Sequence, residues 1–287
     1  MTTTPHPAAS GGFPADLVAE ALDATLALRV DRVPVLGVSG LQGTGKSTLA
    51  AQIAAAAAAR GLRAAVVSID DFYLRKAERE ALAREVHPLL ATRGPPGTHD
   101  LALALRTLDA LRAGEAVALP RFDKLADDRL PETRWERSGA NAGPGSGPWR
   151  DLVVFEGWFL GTPAEGEAAL AEPVNALERD EDADGAWRRW CNAALARDYP
   201  ALWARIDALW FLQPPGFEIV PKWRWQQECS LEARALQTSN PTRRAMTRAQ
   251  VERFVQHYER VSRQALRTLP ALADRTVPLD ADRRPLR

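Results

Sequence analysis

The sequence predicts an α/β fold in three layers, with a mainly parallel sheet between two sets of helices. Three observations carry that expectation. Apolar runs of strand length recur at 33–40, 62–70, 151–161 and 206–215, with helical spacing between them. The first two runs enclose a glycine-rich loop and an alanine-rich helix, the order of a βαβ unit, which belongs to a parallel pair. Hydrophobic residues make up 46% of the 287, enough to fill a sizeable core.

Each element follows in turn. Residues 1–12, rich in Thr, Pro, Ser and Gly, read as a flexible tail, and 13–287 as one domain. ADLVAEALDATLALRV (15–30) has apolar residues at helical spacing and stops at Asp31; VPVLGVSG (33–40) is a buried strand running into glycines. From Lys46 to Arg60 the alanine-rich stretch favours helix and ends at Gly61, and LRAAVVSID (62–70) is the second strand. Residues 75–100 are polar and carry the turn cluster RGPPGTHD, after which LALALRTLDALRAG (101–114) is a helix closed by Gly114. VALPRFDKLADDR (117–129) is a short extended piece entering a charged loop, and SGANAGPGSGPW (138–149) is a surface loop. DLVVFEGWFLG (151–161) is the third strand. The chain is acidic and then helical from 166 to 205, and IDALWFLQPP (206–215) is a fourth strand ended by two prolines. A long basic helix bearing tryptophans spans 217–237, an amphipathic helix spans 247–269, and TVPLDAD (276–282) is a last short strand. No repeat and no linker calls for a second domain.

Composition narrows the function. The 37 basic residues balance the 37 acidic ones, so no global field draws the chain to nucleic acid or to an anionic membrane. Any bound anion must be held by local groups. Cys191 and Cys229 have neither CxxC nor Cys/His spacing, which argues against a disulfide framework and a structural zinc site. The N-terminus has no basic n-region and no apolar h-region, and no run is long enough for a membrane span, so a soluble, cytoplasmic protein is expected.

The chemistry concentrates at strand ends. Gly40 to Ser47 fits G-x-x-x-x-G-K-[ST], after a buried strand and at the start of a helix, where that motif makes a phosphate-binding loop. Successive amides, the positive helix end and the glycines admit a phosphate chain, so the nucleotide set is Gly40, Gly43, Thr44, Gly45, Lys46, Ser47 and Thr48. Lys46 would reach the β- and γ-phosphates, and the Ser47 hydroxyl would ligate Mg²⁺. SIDDFY brings Asp70 and Asp71 to the same sheet edge, where a carboxylate can take a proton from an attacking hydroxyl and help hold Mg²⁺; Asp70 is the expected residue. Glu156 ends the third apolar run at the position where a carboxylate acts on Mg²⁺.

In order and spacing, GLQGTGKST, SIDDFY, RGPPGTHD, LPRFDKLADDR, VFEGWFLG and KWRWQQE resemble the D-glycerate 3-kinase family of P-loop kinases, from about Pro34 to Arg287. The chain is similar, more distantly, to the uridine kinase, phosphoribulokinase and pantothenate kinase group. The resemblance implies a P-loop NTPase fold with a five-stranded parallel sheet and a helical lid, and transfer of phosphate from ATP, with Mg²⁺, to D-glycerate, giving 3-phosphoglycerate. It makes Asp70 the base and puts Tyr73 near the acceptor. Arg93, His99, Asp100, Asp123, Lys124 and Arg129 would form the acceptor side, cations holding a carboxylate and aspartates accepting from hydroxyls. Lys222 and Arg224 would cover the phosphates from the lid, Arg224 neutralising charge during transfer. Residues 173–195 would pack beside the lid.

The residues by themselves leave alternatives open. The aspartates could cap a helix or sit in a solvated turn, Glu156 could pair with a basic neighbour, and the charges at 93–129 could be loop salt bridges. His99 could begin the helix after it, and KWRWQQE could be a basic face with its tryptophans in the core. A kinase for a nucleoside, pantothenate or another sugar acid, or a nucleotide switch, would keep the same phosphate loop.

Overall fold

α1 (Ala15–Ala27) opens the fold behind Phe13, whose backbone N–H and C=O are both held by the Gln52 side chain, at 2.8 and 3.0 Å. The computed structural model describes residues 12–124, 126–138, 150–237 and 246–286; the expected tail up to residue 11 and the expected loop over 139–149 lie outside the described residues. α1 stops before 30 because Leu28 and Val30 stand in solvent and extend no apolar stripe. β1 (Val35–Gly40), α2 (Lys46–Ala59) and β2 (Ala64–Ser68) then form the βαβ unit.

Past β2 a 3₁₀ turn, Ile69–Phe72, carries the two aspartates off the sheet. α3 (Lys76–Glu85) lies where the sequence suggested only polar irregular chain; it has almost no apolar face, and its one buried residue is an arginine, Arg79. α4 (Leu101–Arg112) follows, closed near Gly114 as its sequence indicates. The extended piece after it resolves into β3 (Val117–Leu119), β4 (Phe122–Asp123), β5 (Asp128–Arg129) and β6 (Glu136–Ser138), with β3 antiparallel to β6 and β4 to β5. Such two- and three-residue strands are set by long-range pairing and carry no periodicity to read.

β7 (Leu152–Gly157) is shorter than its apolar run, because the chain turns after Gly157. Next come α5 (Ala176–Glu181), α6 (Ala186–Asp198), α7 (Pro200–Trp203), β8 (Ala208–Gln213), α8 (Val220–Gln237), α9 (Arg248–Leu272) and β9 (Arg275–Pro278). The sheet order is β2-β7-β1-β8-β9, every pair parallel. β1 therefore lies at the centre, and all carboxyl ends share one edge, where an open α/β sheet binds its ligands.

Strand alternation sorts the core into two faces. Leu36, Val38, Val154 and Trp210 pack toward Leu17 of α1 and Leu49 and Ile53 of α2. Val35, Val153, Phe155 and Phe211 pack toward Leu108 of α4 and Val255 and Leu269 of α9. Each such side chain contributes about 1.5–3 kcal/mol by leaving water. The same parity places Glu156 with Val154, on the face that carries α2. The segment 173–195 packs against α9: Arg260 holds Glu178 at 2.9 and 2.7 Å, and Asn175 donates to the Gln256 carbonyl at 3.0 Å.

Candidate active site

The loop between β1 and α2 turns through Gly43 at φ +86 and Gly45 at φ +93, and Gly45 caps α2. Gly43 meets a second demand: a Cβ there would lie 2.7 Å from Cβ of Trp223. Only glycine satisfies both the backbone and the space. Thr44 Oγ1 and Lys46 Nζ both donate to the Leu41 carbonyl, at 2.9 and 3.0 Å, while Ser47 and Thr48 are exposed at the mouth. Burial pushes the Lys46 ammonium below its ordinary value, opposed by the charges of Glu156 and Asp70.

Ser47 Oγ donates to Glu156 Oε1 at 2.9 Å, which follows from the shared face of Glu156 and α2. A hydroxyl and a carboxylate in contact are hard oxygen donors, the kind Mg²⁺ accepts when phosphate oxygens and water complete its shell. Among the described residues no group of three or more His, Cys, Asp or Glu gathers into a metal cage. The edge suits a cation brought in with a phosphate chain rather than one caged by protein alone.

Asp70 accepts from Tyr73 Oη and from Lys124 Nζ, each at 2.6 Å. Burial works to raise its carboxyl, but the Lys124 charge and hydrogen bond, the Tyr73 bond and the Lys46 charge outweigh it and hold the group well below the carboxylate range. Asp71 faces the other way, accepting from Phe122 N at 3.0 Å and Arg121 Nη1 at 3.2 Å. It ties β4 to the end of β2, and burial raises its carboxyl.

Three distant stretches meet beside Asp70. Tyr73 pairs with His99 in an isolated antiparallel bridge, their rings 4.9 Å apart, and the Tyr73 ring meets Phe122 edge-on at 5.1 Å. Phe122 is paired with Arg129 across β4 and β5, and the Arg93 guanidinium lies 5.6 Å over the Phe122 ring. Tyr73, Arg93, His99, Lys124 and Arg129 are thus brought together. Asp100 stands behind them with both oxygens engaged: one caps α4 through Leu103 N and the other accepts from Arg129 Nη1, each at 3.0 Å. The helix-starting role weighed for His99 belongs to Asp100. Asp123 accepts from Ala126 N at 3.2 Å within the β4–β5 turn.

Sequence reasoning missed what holds this wall. Arg79, 1% exposed, donates to the carbonyls of Leu74, Ala91 and Asp127 at 3.2, 2.6 and 2.6 Å. It also pairs with the Asp127 carboxylate at 3.0 Å, and Arg93 holds the other oxygen. One arginine among the many charges of α3 gives no sequence signal of burial. Tyr258 Oη donates to the Arg93 carbonyl at 2.7 Å, and a side chain at Gly94, φ +113, would strike the Tyr258 ring.

The KWRWQQE stretch lies in α8. Trp223 is fully buried over Gly43 and donates Nε1 to the Ala281 carbonyl at 3.0 Å, and Trp225 is half-buried against the part of the core that holds Val255 and Leu269 of α9. Arg224 pairs with the buried Glu228 one turn on and lies 5.7 Å over the Phe254 ring; Lys222 is exposed. Another unforeseen residue, Arg283, sits 4.9 Å over the Trp223 ring and donates to the Gly43 carbonyl at 2.6 Å and to Gln226 Oε1 at 2.8 Å. The segment after β9 therefore braces the phosphate loop.

Comparison with known proteins bears on this geometry. The family described as methylmalonyl Co-A mutase-associated GTPase MeaB matches residues 14–74, which span α1 to the start of the acceptor wall and stop short of 93–129. The uncharacterized kinase mug58 of Schizosaccharomyces pombe is 34% identical over 232 residues, 78% of this chain and 78% of that protein. The chloroplastic D-glycerate 3-kinase of Arabidopsis thaliana is 30% identical over 275 residues, 88% of this chain; the chain spans about half of that protein, 54%. The solved structure of D-glycerate 3-kinase from Cryptococcus neoformans var. grubii superposes with a TM-score of 0.71 at 26% identity, over 96% of this chain and 99% of that one. On these likenesses, with its parallel sheet and phosphate loop, the chain belongs to the family of P-loop kinases that includes these D-glycerate 3-kinases.

Proposed function

We propose that the chain transfers the γ-phosphoryl group of ATP to the 3-hydroxyl of D-glycerate. One observation carries the reading: Asp70 lies within electrostatic reach of Lys46 in the phosphate loop, and directly against Lys124 in a wall that also holds Arg93, His99 and Arg129. A carboxylate between a phosphate cradle and a cationic wall is what a kinase for a small acid requires. The names of the plant and fungal relatives support the acceptor.

In this reading the loop from Gly40 to Thr48 holds the triphosphate by its amides, and Lys46 binds the β- and γ-oxygens. Ser47, Glu156 and Asp70 would hold Mg²⁺, which when bound neutralises charge on the transferring group. Arg93, Lys124 and Arg129 hold the acceptor carboxylate, while Asp100 backs Arg129 and Asp123 accepts from the remaining hydroxyl. Asp70, oriented by Tyr73, aligns the 3-hydroxyl. Its depressed pKa suits a reaction in which the hydroxyl proton moves only as the phosphoryl group arrives. Arg224 leaves Glu228 for the phosphates when α8 closes. A cytoplasmic setting belongs to the same reading: Cys191 and Cys229 are free thiols, and no described helix is long and apolar enough to cross a membrane.

The test is ADP release in a coupled assay with ATP and Mg²⁺, offering D-glycerate, L-glycerate, uridine, pantothenate or no acceptor. Turnover that requires D-glycerate and disappears in Asp70→Asn is expected. Release indifferent to every acceptor would turn the reading toward a nucleotide switch, and dependence on uridine or pantothenate would move it to a neighbouring specificity.

A further inference from the structure

Tyr199, at the end of α6, is fully buried and its hydroxyl makes two contacts in the acceptor wall. The Gly97 amide donates to Oη at 2.8 Å, and an amide can only donate. The same oxygen lies 2.7 Å from His99 Nδ1. No other acceptor meets the phenol among the described residues, so its single proton is placed on the bond to Nδ1. An imidazole that accepts at Nδ1 and stays neutral carries its hydrogen on Nε2. It does stay neutral, since burial holds the His99 pKa down to about 3.

His99 Nε2 is buried, and no hydrogen-bond partner meets it among the described residues. The two ring nitrogens point to nearly opposite sides. Nδ1 faces Tyr199, which is packed between Phe159 and Trp203 in the core. Nε2 therefore faces away from that packing. Arg129 Nε is a second buried donor with no partner, although the same guanidinium is held by Asp100. A buried N–H without an acceptor is costly, and an anionic oxygen relieves the cost best.

We infer that Tyr199 is a positioning residue that fixes His99 as the Nε2–H tautomer, so that the imidazole presents a neutral donor to the acceptor's carboxylate. The inference rests on the acceptor site proposed above. It adds a selection rule: a neutral N–H at that point takes an acceptor oxygen, a carboxylate oxygen more strongly than a hydroxyl.

The tautomer can be read without turnover. Two-bond ¹H–¹⁵N correlation spectra of the ¹⁵N-histidine-labelled full chain at pH 7.5 are expected to show His99 protonated at Nε2 and bare at Nδ1, with Tyr199→Phe disturbing that pattern. In steady-state kinetics Tyr199→Phe is expected to raise the acceptor KM about tenfold or more while kcat and the ATP KM stay within about twofold. His99→Gln, which keeps a donor at the ε position, retains most of the acceptor affinity; His99→Asn loses it. His99 protonated at Nδ1 in the wild-type chain overturns the inference whatever the acceptor. So does an unchanged acceptor KM in Tyr199→Phe or, where that variant does not fold, in His99→Asn. Should D-glycerate not be turned over, the functional reading fails, the spectrum still decides the tautomer, and the KM arm is run on whichever assayed acceptor supports turnover.

Discussion

The phosphate loop and the acceptor wall share one sheet edge but are built by opposite means. The loop is contiguous from Gly40 to Ser47, shaped by glycine torsions and closed by bonds to its own Leu41 carbonyl. The wall is gathered from 70–73, 93–100 and 121–129, and side-chain ions hold it: Arg79 and Arg93 on Asp127, Arg129 on Asp100, Arg121 on Asp71, Lys124 on Asp70. A loop made of backbone donors is carried by a local motif. A wall made of ion pairs depends as well on residues behind it, such as Arg79 and Asp127.

The largest expected effect breaks the wall at its chemistry. Asp70→Asn removes the group proposed to face the transferred hydroxyl and should lower kcat by about 10²- to 10⁴-fold, with the ATP KM little changed. An equal loss in ATP affinity would mean that the two halves do not act separately. Next comes Arg79→Met, which leaves Asp127 to Arg93 alone and takes the donor from three carbonyls. It should cost about 1–3 kcal/mol in urea unfolding, as leaving a buried acceptor unpaired does, and disturb acceptor binding more than nucleotide binding.

The same contrast explains what could be read in advance. β1, α2, β2, β7 and β8 are visible as apolar runs and an alanine-rich helix because burial on both faces of a sheet needs little long-range information. The loop is legible for the same local reason. α3 was not, since its fixing contacts run from Arg79 to Leu74, Ala91 and Asp127 and leave no periodic trace. β4 and β5 were not, because a two-residue strand exists only through its partner. Tyr199 and Arg283 escaped for a related reason: they act on residues 100 and 240 positions away, His99 and Gly43 respectively.

A third effect is set by pH. Burial holds His99 to a pKa of about 3 and His257 to about 4, whereas an unfolded histidine titrates near 6.5. Between those values the unfolded chain takes up protons that the native chain refuses. Stability is therefore complete above about pH 6.5 and falls on acidification, by about 1.4 kcal/mol per pH unit for each histidine. Asp70 follows the other sign: its contribution holds above the ordinary carboxylate pKa and is lost only as pH drops below it, a lower window. Urea unfolding at pH 7 and pH 5 should show a loss smaller by about 2 kcal/mol in His99→Gln than in the wild-type chain. An identical loss in both would mean that His99 is not buried neutral and that it adds one more cation to those already in the wall.

The smallest effect tests whether the halves are truly separable. Arg283 spans them: it braces the Gly43 carbonyl in the loop and also holds Gln226 on α8, the helix that carries Arg224. Burial pushes its guanidinium down from its ordinary value, opposed by the Asp282 charge, and the Trp223 face adds to its hold. Arg283→Gln should raise the ATP KM about threefold to tenfold, the worth of one ordinary hydrogen bond, and leave the D-glycerate KM unchanged. If both constants rise together, the brace also sets the position of α8, and the segment after β9 couples nucleotide binding to closure over the acceptor. If neither moves, Trp223 packed on Gly43 is enough to shape the loop, and the backbone half of the site needs no side-chain ion at all.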